Sequence, residues 1–194
     1  MLEEGKANGG TTMTVLIGYA SEHGSTRGVA ERIALRLRER GIEAEAVRLS
    51  RARDADAYEA AVIGSAIHGG TWLAEAADYV HRNAGALAQR PVWLYSVGMA
   101  KAIGGRFEAL AKDPREVAEL RAEVAPHGHR LFAGALRPSH LPLAGRVLYR
   151  LTRGRYGDFR DWAEIDAWAA GIAAELTAPD GRARPRTPEG GAPA

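Results

Sequence analysis

The 194-residue sequence contains no cysteine. That excludes disulfides, thiolate-held zinc, thiolate-held iron–sulfur clusters, a cysteine nucleophile and any redox dithiol. If the protein does redox chemistry, a bound cofactor must carry it. Long apolar runs are also missing, and none approaches the roughly 18 residues needed to span a bilayer. The N-terminal stretch (Glu3, Glu4, Gly5, Asn8, Gly9, Gly10) has neither the basic start nor the apolar core of a signal peptide. Charge of one sign is scarce in the total: 26 Lys+Arg stand against 24 Asp+Glu, a net of +2.

What is present is ordinary for one folded domain, with 46% apolar and 26% charged residues. Both ends depart from that average. Residues 1–12 are glycine-rich and polar, and residues 178–194 scatter Pro179, Pro185, Pro188 and Pro193 among Gly, Ala and Arg. Such segments bury too little apolar surface to offset their ordering entropy, so both are expected to be disordered. The folded body is expected over residues 13–177.

Within the body, short apolar runs alternate with helical periodicity. Thr14–Tyr19 reads as a buried strand. From Thr26 to Arg40, Val29, Ile33 and Leu37 recur every four residues, and Gly41 is a natural helix stop. Ala44–Leu49 and Ala61–Gly64 read as the second and third strands, separated by a short helix. Trp72–Leu87 reads as a helix, Val92–Val97 as the fourth strand and Glu116–Val124 as a helix. Leu131–Leu136 reads as the fifth strand and Trp162–Leu176 as a closing helix. Alternation of this kind predicts an α/β fold with a five-stranded parallel sheet covered by helices on both faces. The doubly wound strand order 2-1-3-4-5 suits it. Ligands in such sheets bind beyond the carboxyl ends of the strands, where the strand order reverses.

The loop after the first strand is Ser21-Glu22-His23-Gly24-Ser25-Thr26, running directly into a helix. Gly24 lets the backbone approach an anion closely, and the first amides of the helix point at it with the positive dipole end behind them. Ser21, Ser25 and Thr26 add hydroxyl groups. The same residues also make an ordinary turn and N-cap. Neither GxxxxGK[ST] nor GxGxxG occurs, which excludes a Walker loop and a dinucleotide fingerprint. His127-Gly128-His129 lacks a third ligand and is expected to be a solvated loop, so no metal is expected.

Together these motifs resemble the flavodoxins. The loop Ser21–Thr26 is similar to their [ST]-x-[TD]-G-x-T phosphate loop, although His23 stands where Thr or Asp is common. Ser65-Ala66-Ile67-His68-Gly69-Gly70 resembles the loop that packs on the flavin ring. Val62–Ile67, Tyr95-Ser96-Val97, Phe132–Leu136 and Asp161-Trp162 extend the resemblance, over about residues 14–177, to the flavodoxin-like menaquinone-dependent protoporphyrinogen oxidases. The resemblance implies FMN as cofactor, with Ser21, Glu22, His23, Gly24, Ser25 and Thr26 around the phosphate. Ala66, Ile67, His68, Gly69, Gly70, Thr71 and Trp72 would flank the ring on one side. Val97, Gly98, Met99, Ala100, Gly104 and Gly105 would flank it on the other. Trp72 has two readings, a ring stacked on the flavin or a core residue opening the next helix.

The charge is unevenly placed. From Pro126 to Arg160 there are seven arginines and one acid, Asp158, interleaved with Leu141, Leu143, Val147, Leu148, Tyr149 and Leu151. Residues 143–151 are compatible with a short amphipathic helix. Arg137, Arg146, Arg150 and Arg153 would suit an anionic porphyrin or an anionic lipid surface, and equally a solvated helix face with snorkelling arginines. No nucleic-acid motif accompanies the charge. The family resemblance implies an oxidoreductase passing reducing equivalents through FMN to a quinone or a redox partner protein, in the cytoplasm with peripheral contact at the inner face of the membrane. A non-enzymatic electron carrier and a flavin-free interaction module are the competing classes.

Overall fold

The computed structural model describes residues 14–98, 115–140, 143, 146 and 156–178. The strands are β1 (Thr14–Ala20), β2 (Glu43–Arg48), β3 (Ala60–His68), β4 (Thr71–Trp72), β5 (Val92–Gly98), β6 (Gly128–Ala133), β7 (Ala135–Leu136) and β8 (Gly157–Asp158). The described helices are α1 (Ser25–Arg38), α2 (Ala74–Leu87), α3 (Arg115–Val124) and α4 (Trp162–Thr177). Two 3-10 turns, Leu49–Arg51 and Ala55–Ala57, stand where a short helix was expected between β2 and β3.

The main sheet runs β2-β1-β3-β5-β6, every pair parallel, which is the expected doubly wound order. Alternation along each strand divides two cores. Val15, Ile17, Val62, Trp93, Tyr95 and Val97 face one side with the apolar stripes of α1 and α4. Leu16, Ala61, Ile63, Val92 and Leu94 face the other with α2 and α3. On α1 the buried positions Val29, Ile33 and Leu37 follow the helical period, each contributing roughly 1.5–3 kcal/mol relative to exposure. Across α1 and α4, the Asp166 carboxylate accepts from Arg32 Nε at 2.6 Å and Arg36 Nη2 at 2.8 Å. Asp161 caps α4 by accepting the Glu164 N–H at 3.0 Å.

Register levels the strand ends. Ala20 aligns with Ser65, Ser65 with Ser96, and Ser96 with Leu131. The segments beyond these four residues therefore start from one row and share one crevice.

Three expectations need correction. The third strand does not stop at Gly64. It continues to His68 and folds back through Gly69 (φ 60°) and Gly70 (φ 85°) into β4, so Ser65–His68 is strand rather than loop. Two consecutive left-handed residues make a tight hairpin that glycine accommodates without a Cβ penalty. Consequently Trp72 belongs to β4, and α2 begins at Ala74. The fifth strand is also not one run from 131 to 136: β6 leaves the main sheet at Ala133, and Ala135–Leu136 pairs antiparallel with β8. Finally, His127-Gly128-His129 is only in part an exposed loop: His127 lies in an exposed bend, whereas Gly128 and His129 open β6. Of residues 1–12 and 178–194, only Ala178 is described.

Candidate functional site

A cleft opens at the carboxyl ends of β1, β3, β5 and β6. It is lined by Glu22, His23 and Ser25 after β1, by Ala66, Ile67 and His68 at the end of β3, and by Val97 and Gly98 of β5. Gly134, Ala135, Leu136 and His140 complete it. A larger hollow, about 490 Å³, lies beside Thr14, Gly41 and Glu43 at the opposite ends of the strands. Ligands of open parallel sheets use the carboxyl ends, so the first cleft is the candidate site.

The loop after β1 is shaped by one left-handed residue. Gly24 has φ 86°, and the space where a Cβ would stand is open. Its N–H donates to Ser21 Oγ at 3.0 Å, and its carbonyl accepts the Gly28 N–H at 3.0 Å as α1 begins. Among the described residues no side chain caps α1. Thr26 in its first turn is fully buried, and its Oγ1 has no hydrogen-bond partner among the described residues. A buried hydroxyl without a partner costs about 1–3 kcal/mol unless a ligand satisfies it. An uncapped helix start, an open glycine cradle and an orphaned hydroxyl together fit an anion of phosphate type.

The rest of the cleft divides by polarity. Ala66, Ile67, Val97, Ala135 and Leu136 offer apolar walls suited to a flat ring, and Glu22, His23, His68 and His140 make a polar rim. His68 Nδ1 lies 3.1 Å from Glu22 Oε2, linking the ends of β1 and β3. The rings of His23 and His140 are stacked, with centroids 4.2 Å apart and planes 8° apart. Burial, then His23 and Arg137, hold the His140 imidazole below its ordinary pKa.

Of the residues expected from sequence, Glu22, His23, Ser25, Ala66, Ile67, His68, Val97 and Gly98 are brought together in the cleft. Ser21 lies in the loop after β1 and Thr26 in the first turn of α1, and neither lines the cleft. Gly69, Gly70 and Thr71 form the hairpin tip, where Thr71 Oγ1 donates to the His68 carbonyl at 3.1 Å. Trp72 is the clearest departure. Its ring is 3% exposed, packs with Ile63 and Leu94, and does not line the cleft. Its indole N–H donates to Ser96 Oγ at 2.8 Å, and that hydroxyl also meets His129 Nε2 at 2.9 Å. The core reading of Trp72 replaces the stacking one.

Met99, Ala100, Gly104, Gly105, Arg150 and Arg153 lie outside the described residues, as does most of residues 143–151. Arg137 and Arg146 are described, both exposed. The sequence reading missed Gly134, Ala135, Leu136 and His140. A signal for the first three existed: the strand order places the end of the fifth strand beside that of the fourth. No local signal marked His140, which arrives from a 3-10 turn, Pro138–His140. His127 Nδ1 lies 3.1 Å from Glu175 Oε2, and among the described residues no three His, Asp or Glu come together as a metal site. Among the described residues no helix is long and apolar enough to cross a membrane.

Known proteins resemble this chain in sequence and in fold. The quinone-linked protoporphyrinogen IX dehydrogenase of Escherichia coli strain K12 is 25% identical over 175 residues, covering 83% of this chain and 95% of that protein. An archaeal flavodoxin superposes with a TM-score of 0.59 at 14% identity, covering 86% of this chain and 100% of that one. Oxidised flavodoxin 1 from Bacillus cereus gives 0.56 at 13% identity, covering 84% and 99%. At such identities these structures establish the fold alone. A model of the flavodoxin domain matches residues 16–159. Most of the chain and its sheet order are thus accounted for together: the chain belongs to the flavodoxin domain family, whose cofactor is FMN.

Proposed function

We propose that the protein is an FMN-dependent oxidoreductase that takes reducing equivalents from a porphyrinogen-type substrate and delivers them to a quinone. The observation that carries this reading is the near end-to-end alignment with the Escherichia coli dehydrogenase, which leaves only 5% of that protein unmatched. In this reading Ser21, Gly24, Ser25 and Thr26 hold the phosphate, with Thr26 Oγ1 gaining the partner it lacks. Ala66, Ile67 and His68 flank the ring on one side and Val97 and Gly98 on the other. Gly69, Gly70 and Thr71 shape the first wall, and the family resemblance assigns Met99, Ala100, Gly104 and Gly105 to the second. FMN, when bound, supplies the two-electron redox chemistry that a cysteine-free chain lacks. Each two-electron, two-proton step in the oxidation of the porphyrinogen reduces one quinone to one quinol, so successive quinones are consumed before the porphyrin is reached.

Arg137, Arg146, Arg150 and Arg153 are assigned to the propionates of the substrate or to an anionic leaflet, where each arginine contributes about 1 kcal/mol. Because the quinone resides in the bilayer, the protein would work in the cytoplasm with salt-reversible contact at the membrane surface. The test is stopped-flow reduction of the FMN-loaded protein by protoporphyrinogen, followed by reoxidation with a menaquinone analogue. Both phases are expected. A flavin inert to porphyrinogen that exchanges single electrons with a reductase would establish the carrier instead. That second reading is favoured by one observation, the match of residues 16–159 to the flavodoxin domain family. Protein that ignores added FMN would overturn both.

A further inference from the structure

We propose that His23 and His140 form an imidazole stack that takes up one proton, on His23, when the phosphate of FMN enters the loop after β1. The inference rests on the FMN reading and concerns how this chain neutralises the phosphate.

The charge balance of the cleft motivates it. A phosphomonoester brings about −1.5 to −2 charges near neutral pH. The start of α1 offers the equivalent of about half a positive charge. Neither lysine nor arginine lines the cleft among the described residues. Of the imidazoles there, His68 is engaged with Glu22 at 3.1 Å. Among the described residues the stacked pair is the other imidazole group there, and both members line the cleft beside Ser25.

The two rings are not equivalent. The Arg137 N–H donates to His140 Nδ1 at 3.3 Å, which assigns the proton of a neutral ring to Nε2. Burial, His23 and Arg137 all disfavour charge on His140. His140 therefore stays neutral, and two cationic rings 4.2 Å apart would repel. A neutral ring at that distance, in contrast, faces a single imidazolium without like-charge repulsion. His23 is exposed and belongs to the loop itself. The other charged groups nearby are committed: Glu22 to His68, and Asp158 of β8 to Arg160 at 2.6 Å. Arg137 faces His140 and reinforces its neutrality. His140 is thus a positioning residue, and His23 the binding one.

Calorimetric titration at about pH 7.5, in buffers of low and high ionisation enthalpy, reads the protons exchanged on binding. We expect FMN to bind with uptake of about half a proton or more, while riboflavin, lacking the phosphate, takes up none. His23→Gln should bind FMN more weakly and without uptake. His140→Phe, which retains a flat ring, should keep the uptake, and His140→Ala should lose most of it. FMN binding without proton uptake overturns the inference alone, as does uptake that persists unchanged in His23→Gln, since the proton would then sit on the phosphate. Failure of FMN to bind at all overturns the FMN reading and the inference with it.

Discussion

Gly64 lies at the centre of β3 directly opposite Tyr95 of β5. A Cβ added there would fall inside van der Waals contact with the Tyr95 ring, at Cζ and both Cε atoms. The ring cannot easily yield. It is fully buried, with Phe132 at 6.2 Å and Trp168 at 6.1 Å between centroids. Overpacking of this kind costs about 1–3 kcal/mol, and the rigid neighbours place Gly64→Ala at the upper end. Alanine also restricts the unfolded chain, which returns about 0.4–1 kcal/mol. The net loss should be about 2 kcal/mol, or about 4–8 °C in the melting midpoint for a domain of this size. Urea denaturation of the wild type, Gly64→Ala, Tyr95→Leu and the double variant completes a cycle. The double variant should be less destabilised than the sum of the singles by about 1–2 kcal/mol, because the smaller side chain vacates the space the new methyl needs. A Gly64→Ala loss under about 0.5 kcal/mol, with additive singles, would refute the reasoning, since the ring would then have moved aside freely. Tyr95→Phe serves as a control. The Tyr95 hydroxyl is buried without a partner among the described residues, so its removal should leave stability unchanged or raise it by up to about 1 kcal/mol.

Two further predictions concern acid stability and Trp72. Hydrogen bonds from Arg32 and Arg36 hold the Asp166 carboxyl well below its ordinary value of 3.8. A carboxylate depressed in the folded state contributes stability that is present above that ordinary value and is lost as pH falls below it. Asp166→Asn should therefore be less stable than the wild type at about pH 6, with the difference shrinking towards about pH 3 in chemical denaturation; a gap that widens on acidification contradicts the assignment. Trp72→Phe removes the donor to Ser96 Oγ and should cost about 1 kcal/mol. It should leave FMN affinity, read by quenching of flavin fluorescence, within about threefold of the wild type; a larger loss would mean that the indole faces the flavin after all.

The order of the five main-sheet strands and the helices between them, the parallel sheet and the loop that runs into α1 were legible in the sequence, because each is written locally. Strands buried on both faces appear as continuous apolar runs such as residues 15–17, and α1 appears as the four-residue recurrence of Val29, Ile33 and Leu37. A glycine that must be left-handed and an uncapped helix start are likewise features of a few adjacent residues. The position of Trp72 was not local. The hairpin at Gly69-Gly70 reverses the chain onto β3, and Ser96, twenty-four residues on, supplies the hydroxyl that settles its indole. Nor was the end of β6, where Ala135–Leu136 exchanges the main sheet for β8, a partner more than twenty residues further along. His23 and His140 are separated by more than a hundred residues, and neither ring has a local reason to meet the other. Periodicity records which face of an element is buried, whereas the identity of the group covering it depends on long-range pairing, and here that pairing assembled the polar rim of the cleft.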